Sequence, residues 1–282
     1  MQIAVTGGRG LLGTAVVAEG CRRGHQVVSM DIRPVVPGGD GGDTATQVVA
    51  DVTAYEELRR QVAGCDAIVH LAGRPSPLGA PPHVVHNTNV VASYNALGVA
   101  VELGIGRFCY ASSINAIGGA FSARPRYDYF PVDEEHPSYN EEAYALSKFI
   151  GEVQATSVCR ANDGLSVGSL RIHHLVPTPA ALADKIAAGV GRYSRDLWGY
   201  TTLDAAARAC FAVLDATWEG HEVFFVVAPR TAANMATAQL CEEFYPEVHR
   251  RHELVGNEGL YSCAKAKRLL EWEHDTPEVE PR

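Results

Sequence analysis

The chain has 282 residues, 46% of them hydrophobic, and a formal net charge of -9, enough length and apolar content for one large domain or two small ones with a substantial core. No basic run offsets the negative charge, so an extended nucleic-acid or anionic-membrane footprint is not expected. The seven cysteines are scattered without C-x-x-C spacing, no leader-like segment precedes the first apolar run, and no stretch of about 18 uninterrupted apolar residues occurs, so the expectation is a cytoplasmic chain with reduced thiols and no metal site.

The first strand is expected at Ile3 to Thr6 and the first helix at Leu11 to Arg23. Between them lies Thr6-Gly7-Gly8-Arg9-Gly10-Leu11-Leu12-Gly13, which holds the G-x-G-x-x-G spacing at Gly8, Gly10 and Gly13 and also spaces Gly7, Gly10 and Gly13 by threes. A turn this tight needs residues without Cβ, so that the backbone can approach a pyrophosphate at the positive end of the following helix. The second strand, Gln26 to Met30, leads to Asp31, 18 positions after Gly13. A carboxylate there can accept hydrogen bonds from both ribose hydroxyls and repel a 2′-phosphate, which favours NAD over NADP. Arg9 and Arg33 lie close enough in sequence to pair with such a phosphate, or to be solvated surface charge.

A Pro- and Gly-rich loop follows from Arg33 to Asp43, then strands at Thr46 to Ala50 and Ala67 to Leu71 alternating with helices at Ala54 to Val62 and Val85 to Glu102. This alternation predicts βαβ crossovers and a parallel sheet. The strand Arg107 to Ala111 ends in Ser112-Ser113-Ile114-Asn115, and the carboxyl edge of a parallel sheet is where open α/β folds bind ligands. Ser113 is therefore placed to donate to a substrate oxygen. A second long irregular stretch, Gly118 to Asn140, is read as a lid or a mobile surface segment.

On the helix from Glu141 to Asn162, Tyr144 and Lys148 are separated by four residues and share a face. A phenol is a poor base near neutrality, but a neighbouring cation stabilises the phenolate, and Lys148 can supply that cation. The strand Ser166 to Ile172 is followed by His173 and His174, which would point to opposite faces of a strand and so form no metal pair. After an Ala-rich helix, a helical run from Thr202 to Thr217 and a strand-like run from Val223 to Val227 remain, with a small helical cap to Arg282. The resulting expectation is a Rossmann-type, doubly wound α/β fold with a small C-terminal substrate-binding cap. Residues 1–172 form the nucleotide-binding domain, with 201–228 returning to it, and residues 173–200 and 229–282 form the cap.

These pieces together resemble an extended short-chain dehydrogenase/reductase of the NAD-dependent epimerase/dehydratase family. The matching segments are TGGRGLLG, Asp31, Asp51-Val52, His70-Leu71-Ala72-Gly73, Asn89-Val90 with Asn95, YASSINAIG at 110–118, YALSK, and Leu170-Arg171-Ile172. The resemblance implies that Tyr144 is the general acid/base, that Lys148 holds the nicotinamide ribose and depresses the Tyr144 pKa, and that Ser113 positions the reacting oxygen beside a structural Ser112. It implies adenine contacts at Asp51 and Val52 and a cofactor wall at Leu71, Ala72 and Gly73. Asn89 resembles an asparagine near the active site, or serves a capping or packing role at the start of its helix. Asn115 and His174 are candidate substrate contacts, and His174 stands where an asparagine is frequent. Ile117 replaces a common aromatic residue before Gly118, and Ala205 stands where relatives often carry an aspartate. Trp198 and Tyr200 would either line a pocket or belong to the core. A homodimer formed through two helices flanking the sheet is frequent in such proteins, and the apolar helices beginning near Val85 and Phe149 are the candidates here, their apolar faces serving either a dimer or the core.

Dehydration is disfavoured, because Ile114-Asn115 supplies no acid/base carboxylate beside the serine pair. The small cap resembles uronate dehydrogenases, a looser similarity, with Arg171, Arg192 or Arg195 as candidate cations for a substrate carboxylate. The readings left open are an NAD-dependent sugar or sugar-acid dehydrogenase, a nucleotide-sugar epimerase with no net NADH, and a non-catalytic NAD-binding protein.

Overall fold

The structure, a computed structural model, describes residues 1–35 and 45–274. The regular alternation opens with β1 (Gln2–Thr6), α1 (Leu11–Arg22), β2 (Gln26–Asp31), β3 (Thr46–Val49), α2 (Tyr55–Val62), β4 (Ala67–His70), α3 (Pro82–Glu102) and β5 (Arg107–Ser113). It continues through β6 (Tyr129–Phe130), α4 (Ala143–Ala161), β7 (Ser166–Ile172), β8 (Leu175–Val176), α5 (Ala180–Ala187), β9 (Thr201–Thr202), α6 (Leu203–Asp215) and β10 (Gly220–Val226). The chain then adds α7 (Thr237–Phe244), β11 (His249–Arg250) and α8 (Ala264–Leu270). Most of the expected loop from Arg33 to Asp43 lies outside the described residues.

Seven strands form one parallel sheet in the order β10-β7-β5-β4-β1-β2-β3. The chain winds outward from β1 through β2 to β3 and then returns to β4 on the other side of β1, so the winding reverses between β1 and β4. A crevice opens at the carboxyl ends of the strands at such a point. Thr6 pins it shut at the base: its hydroxyl bonds His70 Nδ1 at 2.8 Å and accepts the main-chain N–H groups of Leu71 and Ala72, each at 3.2 Å.

Both sheet faces are buried, and the period-two alternation of the strands divides them between two cores. Ile3, Val5, Val27, Val69 and Cys109 face α1, α6 and α8, whereas Ala4, Val28, Met30, Ile68 and Phe108 face α2, α3 and α4. Each fully buried aliphatic or aromatic side chain of this kind contributes roughly 1.5–3 kcal/mol. A third cluster, with Phe130, Trp198, Tyr200, Phe225 and Tyr261, holds the cap to the sheet. Trp198 and Tyr200 are thus core residues.

Several boundaries differ from the sequence expectation for identifiable reasons. β2 continues to Asp31, which pairs with Val49, and β5 continues through Ser112 and Ser113, which pair with Arg171 and Ile172. α3 starts at Pro82, whose fixed φ suits a first helical turn. The stretch from Gly118 to Asn140 is no free lid over its whole length. β6 pairs with β11, Val132 exchanges main-chain hydrogen bonds with Leu260 and Ser262, and the rings of Tyr127 and Phe130 pack on Tyr245 at 5.6 and 5.5 Å. The C-terminal stretch is divided: Ala266, Leu270 and Trp272 belong to the core under α1 and α6 and not to the cap cluster.

Candidate active site

A single cavity of about 1100 Å³ runs along the carboxyl edge of the sheet, from the glycine turn after β1 to the cap. At one end Gly7 adopts φ +69° and Gly10 donates to the Gly7 carbonyl at 2.9 Å. A Cβ on Gly13 would fall well inside contact distance of the Gly7 carbonyl and 2.8 Å from Gly8, so this turn accepts no side chain there. Gly10 caps α1 without a side-chain hydrogen bond, leaving the first N–H groups of that helix directed at the cavity as an anion cradle.

Asp31 ends β2 on the same cavity, and its side chain is nearly buried. Its carboxylate accepts the main-chain N–H groups of Arg9 and Arg33, both at 3.0 Å, and the Arg33 guanidinium at 3.1 and 2.9 Å. Burial opposes the charge, but the Arg33 contacts outweigh it and hold the carboxyl below the usual range. Arg9 is committed to structure: its guanidinium donates to Gln47, to the Asp31 and Val48 carbonyls, and to the Arg33 carbonyl. Of the two arginines near Asp31, only the half-exposed Arg33 borders the cavity.

Leu11, Leu12, Asp51, Val52, Leu71, Ala72 and Gly73 all line the cavity. Asp51 accepts from the Thr53 amide and hydroxyl at 2.9 and 2.7 Å. Asn89 is not among the lining residues. It accepts from the Arg74 amide at 2.7 Å and donates to the Arg74 carbonyl and the Ser147 hydroxyl, tying the loop after β4 to α4 one layer behind the wall.

The middle of the cavity carries the expected trio. Glu142 caps α4 by accepting from the Tyr144 and Ala145 amides, both at 2.6 Å, which fixes the register that turns Tyr144 and Lys148 inward. Ser113, at the end of β5, accepts from the Asn115 amide at 3.2 Å and its side chain at 3.3 Å, while Asn115 Oδ1 has no hydrogen-bond partner among the described residues. Lys148 Nζ donates to the Ala111 carbonyl at 2.7 Å and lies 5.9 Å from the centre of the Tyr144 ring. Burial pushes the Tyr144 phenol up to about 12, opposed by its hydrogen bond with Ser113. Burial also pulls Lys148 down to about 8, so its ammonium still predominates at neutral pH.

Behind this trio, Ser112 donates to Glu152 at 2.6 Å and Arg171 grips the same carboxylate with two bonds of 3.0 and 2.8 Å. Arg171 is therefore consumed in a buried pair and is not a cation for substrate. Arg195 also falls outside the cavity lining, donating to the Ser122 carbonyl at 3.0 Å. Arg192 reaches the cavity, as does Arg74, which the sequence reading had not singled out.

His173 and His174 fall between β7 and β8, where strand alternation does not operate, and both line the cavity. His173 is buried, donates from Nε2 to the Asp196 carbonyl at 2.8 Å, and accepts the His174 amide at Nδ1. Burial pushes it down to about 4, so it is neutral, and His174 is lowered for the same reason. Phe121, Tyr193 and Asp196 complete the cap end, and the Phe121 ring meets Tyr144 edge-on at 6.0 Å. None of these three carried a sequence signal, because each sits on irregular chain placed by the packing of the cap.

This architecture is that of a Rossmann-type α/β protein with a cavity of about 1100 Å³ at the topological switch point. The chain belongs to the NAD dependent epimerase/dehydratase family, whose model matches residues 3–195. A relative in Haloferax volcanii, an NAD-dependent glucose-6-phosphate dehydrogenase, is 30% identical over 146 residues, covering 48% of this chain and 55% of that protein. The chain spans about half the length of the curated relatives it matches. Among solved structures, UDP-glucose 4-epimerase of Thermotoga maritima superposes with a TM-score of 0.74 at 21% identity, covering 98% of this chain and 94% of that one. A mutated uronate dehydrogenase gives 0.65 at 22%, covering 88% and 86%. These similarities carry the fold. No helix among the described residues is long and apolar enough to cross a membrane.

Proposed function

We propose that this chain is an NAD-dependent oxidoreductase acting on a carbinol carbon of a sugar or sugar-acid-like substrate. The observation that carries this reading is one continuous cavity whose wall holds the glycine turn and Asp31 at one end and Ser113, Tyr144 and Lys148 in the middle. The Cβ-free cradle at Gly7, Gly10 and Gly13 fits a pyrophosphate, Asp31 fits a ribose diol, and Asp51 and Val52 fit an adenine. NAD, when bound, supplies the hydride acceptor.

The residues of the chain do the rest. Tyr144 takes the proton of the substrate hydroxyl, and Ser113 hydrogen-bonds the same oxygen and holds it beside the phenol. Lys148 contributes a fixed positive charge on the face of α4 it shares with Tyr144, and the Ala111 carbonyl holds its ammonium in place. Phe121 packs edge-on against the phenol ring at the cap side of the site. Asp31 meets the ribose once Arg33 leaves its carboxylate.

Net oxidation of a small substrate and epimerisation of a nucleotide sugar on this site differ in their products. A screen of sugars and sugar acids that follows NADH absorbance and product configuration together separates the two. Stoichiometric NADH with an oxidised product is expected. An inverted product without NADH would establish the epimerase reading, and NAD binding with neither outcome for any substrate would favour a binding protein.

Cofactor choice is separately testable. Asp31→Ala combined with Ile32→Arg removes the diol acceptor, frees Arg33 and adds a second cation on an exposed cavity residue. The ratio of kcat/KM for NAD to that for NADP is expected to fall by about 10-fold or more, the scale of a lost charge-assisted hydrogen bond. An unchanged ratio would remove Asp31 from its assigned role.

A further inference from the structure

We infer that Asp196 is a substrate-recognition residue, whose carboxylate accepts hydrogen bonds from non-reacting hydroxyl groups of a neutral polyhydroxylated substrate at the cap end of the cavity. This rests on reading the cavity as that of a sugar oxidoreductase, and it adds the group that selects the substrate.

Asp196 lines the same cavity as Ser113 and Tyr144 and closes the 3₁₀ turn Val190–Asp196, which also brings Arg192 and Tyr193 to the wall. The main chain around it is held from several sides. Its carbonyl accepts His173 Nε2 at 2.8 Å, the Trp198 amide donates to the Tyr193 carbonyl at 3.1 Å, and the Trp198 indole donates to the Val190 carbonyl at 2.8 Å. Leu197 and Trp198, both fully buried, have φ of 56° and 54°. Two successive non-glycine residues in this region are uncommon and persist only where packing dictates them. The carboxylate is therefore aimed by a rigid frame.

Its own partners are sparse. Oδ1 accepts the Trp198 amide at 3.3 Å, and no ion pair involving Asp196 is found among the described residues. Arg195, next to it in sequence, donates instead to the Ser122 carbonyl. A partly buried carboxyl with no cation needs donors to stay ionised, and burial pushes this one up to about 7. Substrate hydroxyls are donors of the right kind, because they satisfy the lone pairs without adding charge. A substrate carboxylate would meet like charge at Asp196 and would have to lie toward Arg192.

The test is calorimetric binding of D-glucose, D-galactose, D-xylose and D-glucuronate to the protein, alone and saturated with NADH, in wild type, Asp196→Asn and Asp196→Ala. The asparagine keeps an oxygen for the Trp198 amide and so guards against misfolding. Wild type is expected to bind at least one neutral sugar. Asp196→Asn should weaken that binding about 10-fold and Asp196→Ala by up to about 100-fold, with NADH affinity unchanged. Undiminished sugar binding in both variants overturns the inference, as do a parallel loss of NADH affinity and a wild type that binds glucuronate but no neutral sugar. Asp196-dependent binding of a sugar that the protein neither oxidises nor epimerises would uphold this inference and overturn the oxidoreductase reading beneath it.

Discussion

Tyr144→Phe is expected to lower kcat by about 100-fold or more while leaving NAD affinity and thermal stability near wild type. That magnitude is the usual cost of removing a positioned acid/base. The change deletes one oxygen from a ring that is otherwise buried against Phe121 and the end of β5, so packing survives. Lys148→Met should behave differently. It removes a cation 5.9 Å from the centre of the phenol ring, and burial already pushes that phenol up to about 12. Without Lys148 the phenolate is formed only at higher pH, so the basic rise of the pH–rate profile should move upward, and NAD binding should weaken with it. Steady-state kinetics across pH, with NAD affinity measured separately, check both variants. Near-normal turnover in Tyr144→Phe, or an unmoved profile in Lys148→Met, would remove these residues from their roles even though the family assignment stands.

The second large effect concerns stability. Glu152 and Arg171 are almost completely buried and bonded to each other, and Ser112 completes the carboxylate's shell. Arg171 Nη1 already lacks a partner among the described residues. Glu152→Ala would leave the whole guanidinium uncompensated between α4 and β7, at a cost of about 3–5 kcal/mol. In a chain of this size the melting temperature should fall by about 10 °C. Replacing both residues together, as Glu152→Leu with Arg171→Met, should recover most of that loss, because it removes the stranded charge instead of exposing it. Thermal denaturation of the three proteins decides the matter. An unchanged Tm in Glu152→Ala would show that water or a local rearrangement satisfies Arg171.

The Glu152–Arg171 pair also shows where sequence reading stops. Arg171 stood in a recognisable Leu-Arg-Ile run and was considered as a free cation, but its partner is on another element, 19 residues away. Nothing local reveals that Glu152, one helical turn beyond Lys148, points at β7. By contrast, Gly7, Gly10, Gly13, Asp31, Ser113, Tyr144 and Lys148 were all legible, because each is tied to a strand end or a helix face whose periodicity the sequence displays. The strands of the parallel sheet were legible for the same reason, with boundary errors where pairing extended β2 and β5 at their ends and began β10 at Gly220 instead of Val223.

What escaped was the part of the molecule without periodicity. β6 and β11 are two residues each and pair across more than a hundred positions, so no alternation announces them. Phe121 follows Ala120 and Asp196 precedes Leu197, residues that pack in the cluster with Tyr127, Trp198 and Tyr245, a tertiary fact. Asn89 was read as an asparagine near the active site or as a packing residue, and its side chain ties the loop after β4 to α4 and is not among the residues lining the cavity. The cap's irregular chain thus hides the residues that would choose a substrate, while the sheet edge displays those that would act on it.

The central claim is that hydrogen leaves a carbinol carbon of the substrate for NAD at the site formed by Ser113, Tyr144 and Lys148. The most direct measurement follows deuterium placed on that carbon in whichever sugar or sugar acid the screen identifies, with sugar and cofactor analysed together by mass spectrometry after turnover. The account predicts that the label leaves the substrate and is recovered in NADH, in step with accumulation of the oxidised sugar. Label retained on a sugar of inverted configuration, or lost to solvent without labelled NADH, would contradict it.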